Sequence, residues 1–137
     1  MSETFSKEEK AAMRAAAAER RRKASPEEHA AEVLEKIAAM APADRSMAEA
    51  FHKLVLKTAP QLAPKTFYGM AAYALDGKVV CFFQDAGKFK TRYCTIGFQD
   101  AASLDDGDLW PTSFALTKFT PAVEKQLAAL VKKAVTQ

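Results

Sequence analysis

The sequence predicts an α+β fold: an antiparallel β-sheet of four or more strands, packed on one face by N- and C-terminal helices. Three observations carry that expectation. Composition changes near Pro60, with two aromatics before it and the other eleven aromatics, together with all five glycines, inside residues 67–119. Asp76-Gly77 sits between two runs rich in strand-forming residues, and Asp-Gly is among the strongest short-range hairpin signals. No strand–helix–strand alternation follows, so parallel crossover units are not indicated and the sheet is expected to be antiparallel.

The helical half reads in order. Ser6-Lys7-Glu8-Glu9 has the form of a capping box, and the Ala-rich stretch that follows to about Lys23 has high helix propensity but no large apolar stripe. Residues 1–24 are therefore expected to form a peripheral helical extension, and residues 25–137 the α+β domain. Ser25-Pro26-Glu27-Glu28 repeats the start signal, and Ala30, Val33, Leu34 and Ile37 recur on one face of a core helix over 26–40. A third helix is expected from Asp44 or Arg45 to Thr58, burying Met47, Phe51, Leu54 and Val55 and stopped by Ala59-Pro60. Thr120-Pro121 starts the last, over 121–135, which buries Val123, Leu127, Leu130 and Val131.

The strands are expected at Phe67 to Leu75, Lys78 to Gln84, Thr91 to Phe98 and Thr112 to Lys118, with a polar loop from Asp85 to Lys90. A two-residue turn at Asp76-Gly77 sets Leu75 against Lys78, Ala74 against Val79, Tyr73 against Val80 and Ala72 against Cys81. If the next hairpin is symmetric about Gly87 and Lys88, Val79 meets Ile96, Cys81 meets Cys94 and Phe82 meets Tyr93. One face then carries the small residues Ala72, Ala74, Val79, Cys81, Cys94 and Ile96, which would admit helices closely. The other carries Tyr73, Val80, Phe82, Tyr93 and Thr95. If solvent reaches that face, Tyr73, Phe82 and Tyr93 are the leading ligand-binding residues and a protein partner is the expected occupant.

Composition narrows the function classes. A chain of 137 residues, half hydrophobic and a quarter charged, is long enough for one real core and ordinary for a globular protein. Its apolar runs fall short of a bilayer span and the N-terminus has no apolar leader, so neither membrane insertion nor secretion is expected. Two cysteines without a C-x-x-C spacing fit reduced thiols and a cytoplasmic location. Net charge is +3, and basic and acidic residues are shared 12 to 10 in residues 1–65 and 8 to 7 in 66–137, so no whole-domain footprint for nucleic acid emerges.

Within residues 45–135, the segments KTFYGMAAYALDGKVVCFFQDAGKFKTRYCTIGF and LDDGDLWPTSFALTKFTPAVEKQLAALVKKAV resemble the YdhG-like family of small bacterial proteins, grouped with the frataxin-like (CyaY/YjbR-like) superfamily. Tyr68-Gly69-Met70, Asp76-Gly77-Lys78 and Trp110-Pro111-Thr112 carry the likeness by order and spacing. The resemblance implies a frataxin-like sheet with flanking helices. Because some relatives are described as iron chaperones, it also implies a role in intracellular iron handling. Frataxins hold iron through exposed acids on the N-terminal helix and a nearby strand, whereas the acids of the N-terminal helices here are interleaved with Lys and Arg.

Other residues invite chemical readings. Asp100, Asp105, Asp106 and Asp108 form the densest acidic cluster and offer oxygen ligands to a hard cation such as calcium, magnesium or iron, with a solvated turn before Trp110-Pro111 as the plainer reading. Glu49-x-x-His52 has the spacing of a di-iron helix motif, but it lacks the second copy that such a site requires. Cys81 and Cys94, if directly opposed, would lie within disulfide range; otherwise they are small buried hydrophobes. Arg20-Arg21-Arg22-Lys23 complements the C-terminal end of the first helix and is the basis of an alternative reading as a nucleic-acid or regulatory protein-binding module. No nucleophile elbow, no Cys–His pairing motif and no phosphate-cradling glycine loop is present, so a non-enzymatic binding module without a bound cofactor is the expected class.

Overall fold

The computed structural model describes residues 5–21 and 24–136. Side-chain caps start the first two helices where the sequence places them. Ser6 Oγ accepts the Glu9 amide at 3.0 Å and Glu9 Oε1 accepts the Ser6 amide at 2.9 Å, opening α1 (Lys7–Arg21). Ser25 and Glu28 repeat the exchange at 3.1 and 3.0 Å to open α2 (Pro26–Ala38). Each box satisfies amides that have no partner within the helix. The next helix, α3 (Pro42–Thr58), begins two residues before the expected Asp44, because Pro42 occupies the first turn, where a missing N–H leaves no bond unmade. None of the described helices is long and apolar enough to cross a membrane.

The sheet has five strands rather than the minimum of four: β1 (Ala63–Phe67), β2 (Met70–Leu75), β3 (Lys78–Gln84), β4 (Cys94–Phe98) and β5 (Ser113–Leu116). They are antiparallel throughout and lie in chain order. The strand expected over Phe67–Leu75 starts only at Met70, and a strand the sequence does not suggest, β1, precedes it and ends at Phe67. Tyr68 and Gly69 take positive φ angles of 52° and 77°, matching the 52° and 82° of Asp76 and Gly77, so the chain makes two successive two-residue hairpin turns. A tyrosine in the left-handed region is strained on its own. Here Glu19 of α1 accepts both turn amides, Tyr68 N–H at 3.1 Å and Gly69 N–H at 3.2 Å, and Lys88 Nζ donates to the Gly69 carbonyl at 3.3 Å.

Between β3 and β4 the expected loop contains a one-turn helix, α4 (Ala86–Phe89), capped by Asp85 and moored by Asp44, whose Oδ2 accepts the Gly87 amide at 2.8 Å. The last helix, α5 (Pro121–Ala134), is capped by Thr120 Oγ1. Val33 and Ile37 of α2, Phe51 and Val55 of α3, and Leu127 and Val131 of α5 form one core with Tyr73, Phe83, Cys94 and Ile96 of the sheet. Three helices thus cover one face. Ala12 and Ala16 of α1 are also buried, and Lys90 pairs with Glu8 at 3.0 Å, so α1 docks at the β1–β2 turn and α4.

The register corrects the expected faces. Leu75 meets Lys78 and Ala74 meets Val79 as expected, but Tyr73 pairs with Cys81 and Ala72 with Phe82. One extra residue, Val80, is accommodated opposite the Tyr73–Ala74 step, and a shift of one reverses which face the rest of β2 shares with β3. Tyr73 consequently joins the helix-covered face, Ala72, Ala74 and Val79 lie on the opposite one rather than on the helix side where the sequence places them, and Val80 is wholly buried in the core. In the second hairpin α4 lengthens the connection, so Cys81 meets Phe98, Phe82 meets Gly97 and Phe83 meets Ile96. That displacement is an even number of residues, so Cys81, Cys94 and Ile96 keep the shared helix-side face that the sequence assigned them.

Phe82 lies so closely over its cross-strand partner that a Cβ built at Gly97 would overlap its ring. Gly97→Ala should therefore destabilise the protein by roughly 1–3 kcal/mol through the displaced ring. In a Phe82→Ala background the same substitution should cost much less, so urea denaturation of the double-mutant cycle reads the coupling directly.

Candidate functional site

Alternation along the strands puts Phe67, Ala72, Ala74, Val79, Phe82 and Gly97 on the face turned away from α2, α3 and α5. Small residues lie at its centre and rings stand beside them. Phe82 covers Gly97, the Phe67 ring packs on Phe82 with centroids 5.7 Å apart, and Tyr68 meets Phe67 edge-on at 4.7 Å. Ala72, flanked by Lys65 and Phe82, is fully buried although it is on this outer face. Phe67 and Phe82 are half-buried, and Tyr68 is exposed.

Beside the rings lies a depression of about 510 Å³, bordered by Lys65, Phe67, Tyr68, Lys78, Val79 and Asp100 and by Glu19 of α1. Apolar rings beside two ammonium groups and two carboxylates can receive a flat apolar or aromatic group and orient its polar edge.

The residues expected to bind are not all brought here. Phe82 is on this face. Tyr73 is not: the bulge turns it into the core, where it has no exposed surface, meets Phe51 edge-on at 5.9 Å and shares a 2.8 Å hydrogen bond between its hydroxyl and His52 Nδ1. Tyr93 precedes β4 instead of pairing with Phe82, and the Arg92 guanidinium lies over its ring at 5.3 Å. Phe67 and Tyr68 take their places. Their membership follows from the Tyr68-Gly69 turn, which reads as a turn only through its glycine, since Tyr-Gly lacks the Asn or Asp that usually marks one.

The other candidates also have definite places. Asp100 borders the depression, and Asp105, Asp106 and Asp108 are exposed around the Gly107 turn. Among the described residues, no group of three or more His, Cys, Asp or Glu side chains is placed to hold a metal ion. Glu49 is exposed, while His52 is turned onto Tyr73, and burial holds its imidazole below the usual histidine range. The basic run over residues 20–23 lies outside the residues whose side chains are described.

Cys81 and Cys94 are both free thiols and are not opposed. Cys81 stands opposite Phe98, four residues along β4 from Cys94, a separation of roughly 13 Å that no disulfide bridges. The Cys94 thiol donates to Asp44 Oδ1 at 3.3 Å, which ties β4 to the start of α3. Burial pushes the Cys94 thiol up to about 11 and the Cys81 thiol up to about 12. The Asp44 carboxylate raises Cys94 further, and a backbone hydrogen bond at Ala86 opposes it.

Among known proteins, no family model matches the chain, and neither a curated protein nor a solved structure matches it.

Two stability measurements follow from these placements. Tyr73→Phe leaves the His52 nitrogen without its partner and should cost about 1 kcal/mol, whereas Tyr73→Ala should cost about 3–5 kcal/mol; thermal unfolding of both variants distinguishes a core residue from a surface one. The thiols titrate above an ordinary cysteine when folded, so their contribution to stability is whole below about pH 9 and is lost as pH rises toward about 11 for Cys94 and about 12 for Cys81. Urea midpoints between pH 8 and pH 10.5 should fall, and fall less in Cys81→Ala. Iodoacetamide should modify neither thiol at pH 8 until the protein is unfolded.

Proposed function

We propose that this protein is a non-enzymatic binding module whose contact surface is the sheet face around Phe67, Phe82 and Tyr68, and that it is a YdhG-like member of the frataxin-like superfamily. The observation that supports the reading is the run of three touching rings, all at least partly accessible, beside a depression bordered by Lys65, Lys78 and Asp100. An aromatic platform of this kind takes flat groups by stacking, and nearby charges orient them. The occupant is a side chain or base of a partner macromolecule, held on a face of paired strands. Iron handling, the role implied by the resemblance, would fall to Asp100, Asp105, Asp106 and Asp108. These side chains are not assembled into a ligand set, and the geometry adds no support to that reading.

NMR titration of the ¹⁵N-labelled protein tests this. N-acetyltryptophanamide and an octathymidine strand serve as stacking probes, with Fe²⁺ added separately under anaerobic conditions. Saturable shifts at residues 65–68, 79–82 and 95–97, removed by Phe67→Ser, are the expected result. Line broadening confined to residues 100–108 on adding Fe²⁺ would instead make iron the ligand. No response of the sheet face to either stacking probe would end the proposal.

A further inference from the structure

The last strand, β5, pairs with β4 and has no strand on its outer side among the described residues. The Phe98 amide donates to the Thr112 carbonyl at 2.8 Å, in the same register that sets Ile96 against Phe114 and Cys94 against Leu116. Inward-bonded and outward-facing residues alternate along an antiparallel strand, so Ser113, Ala115 and Thr117 turn their amides and carbonyls away from the sheet. All three are exposed. A row of such groups is a template for a further strand.

What distinguishes this edge is the space beside it. Between β5 and α5 lies a groove of about 550 Å³, walled by Phe114 and Leu116 on the strand and by Val123, Leu127 and Leu130 on the helix. A strand added outside β5 would send every second side chain toward this helix-side groove and the others toward the opposite face. The groove thus calls for apolar residues at alternate positions. Lys118 and Lys133 are the only charged residues lining it, and among the described residues neither is ion-paired. Two unneutralised ammonium groups and no carboxylate favour an occupant that brings negative charge. The chain's own edge, Thr112 to Lys118, carries a lysine and no acid, so it is a poor match for itself.

We infer that the β5–α5 groove is a docking site for an extended segment of a partner protein, apolar at alternate positions and acidic near its ends, which adds to the sheet as a sixth strand. Backbone bonds to Ser113 and Ala115 supply the pairing, the groove selects the apolar side chains, and Lys118 and Lys133 select the charge. This site is separate from the aromatic face and does not depend on it.

The probe is a fluorescein-labelled decapeptide alternating valine and threonine with two glutamates at each end; the control carries lysines in their place. Fluorescence polarisation should show saturable binding of the acidic peptide, with the basic one weaker by about tenfold or more. NMR shifts should centre on Ser113, Ala115, Thr117 and the facing side of α5. Ala115→Pro removes an amide that serves no bond inside the sheet, so it should leave the fold intact and weaken binding by about tenfold. Should that variant unfold, Lys118→Glu with Lys133→Glu decides instead, since both lysines are exposed and the exchange should invert the peptide preference. Equal binding of both peptides, shifts that map elsewhere, or no saturable binding would overturn the inference. So would a dimer through β5 in sedimentation, which would make a second copy the occupant.

Discussion

An extra residue in β3, opposite the Tyr73–Ala74 step, decides which side chains of β2 join those of β3 on the core face of the sheet. Because side chains alternate with a period of two, one inserted residue moves everything beyond it on one strand to the other face relative to its neighbour. Tyr73 enters the core by this route, packs on Phe51 and finds its one polar partner in His52, whose ring burial favours in the neutral form. The same step places Ala72 opposite Phe82 on the outer face. A large buried ring on one side and small residues beside half-buried rings on the other are two results of a single local irregularity.

Carboxylates hold the rest of the architecture to that sheet. Glu19 satisfies both amides of a turn 49 and 50 residues away in sequence, and so makes a left-handed tyrosine tolerable while fixing α1 to the first hairpin. Asp44 is buried, and its two oxygens accept from the Gly87 amide and the Cys94 thiol, joining α3 to α4 and β4. A buried carboxylate needs such donors, and backbone amides meet the need without a counter-ion. The acids that matter most to the structure are thus isolated in sequence, whereas the dense run at residues 100–108 is exposed and unassembled.

Two surfaces remain after the core is closed, and they differ in kind. The outer sheet face offers rings over small residues, suited to stacking. The β5 edge offers unpaired backbone beside an apolar groove, suited to pairing. The first is a face of the sheet and the second is its β5 edge with the helix-side groove beside it.

Where local chemistry decides, the sequence by itself determined the outcome. Capping residues Ser6, Ser25 and Thr120 start their helices, Asp76-Gly77 turns the chain, and Val33, Ile37, Phe51 and Leu127 face the core as their periodicity requires, although Leu34 of the same expected stripe is exposed. The α+β class follows, because each of these signals acts within a few residues. Tertiary structure alone decided which face Tyr73 occupies, how far Cys81 stands from Cys94, and that Tyr68-Gly69 is a turn. A bulge carries no composition of its own, the α4 connection shifts a register by an amount no turn motif states, and the Tyr68-Gly69 turn is held by a glutamate some fifty residues away. Phe82 was legible as a surface ring and Phe67 and Tyr68 were not, because membership of a sheet face depends on pairings that form only when distant parts of the chain meet.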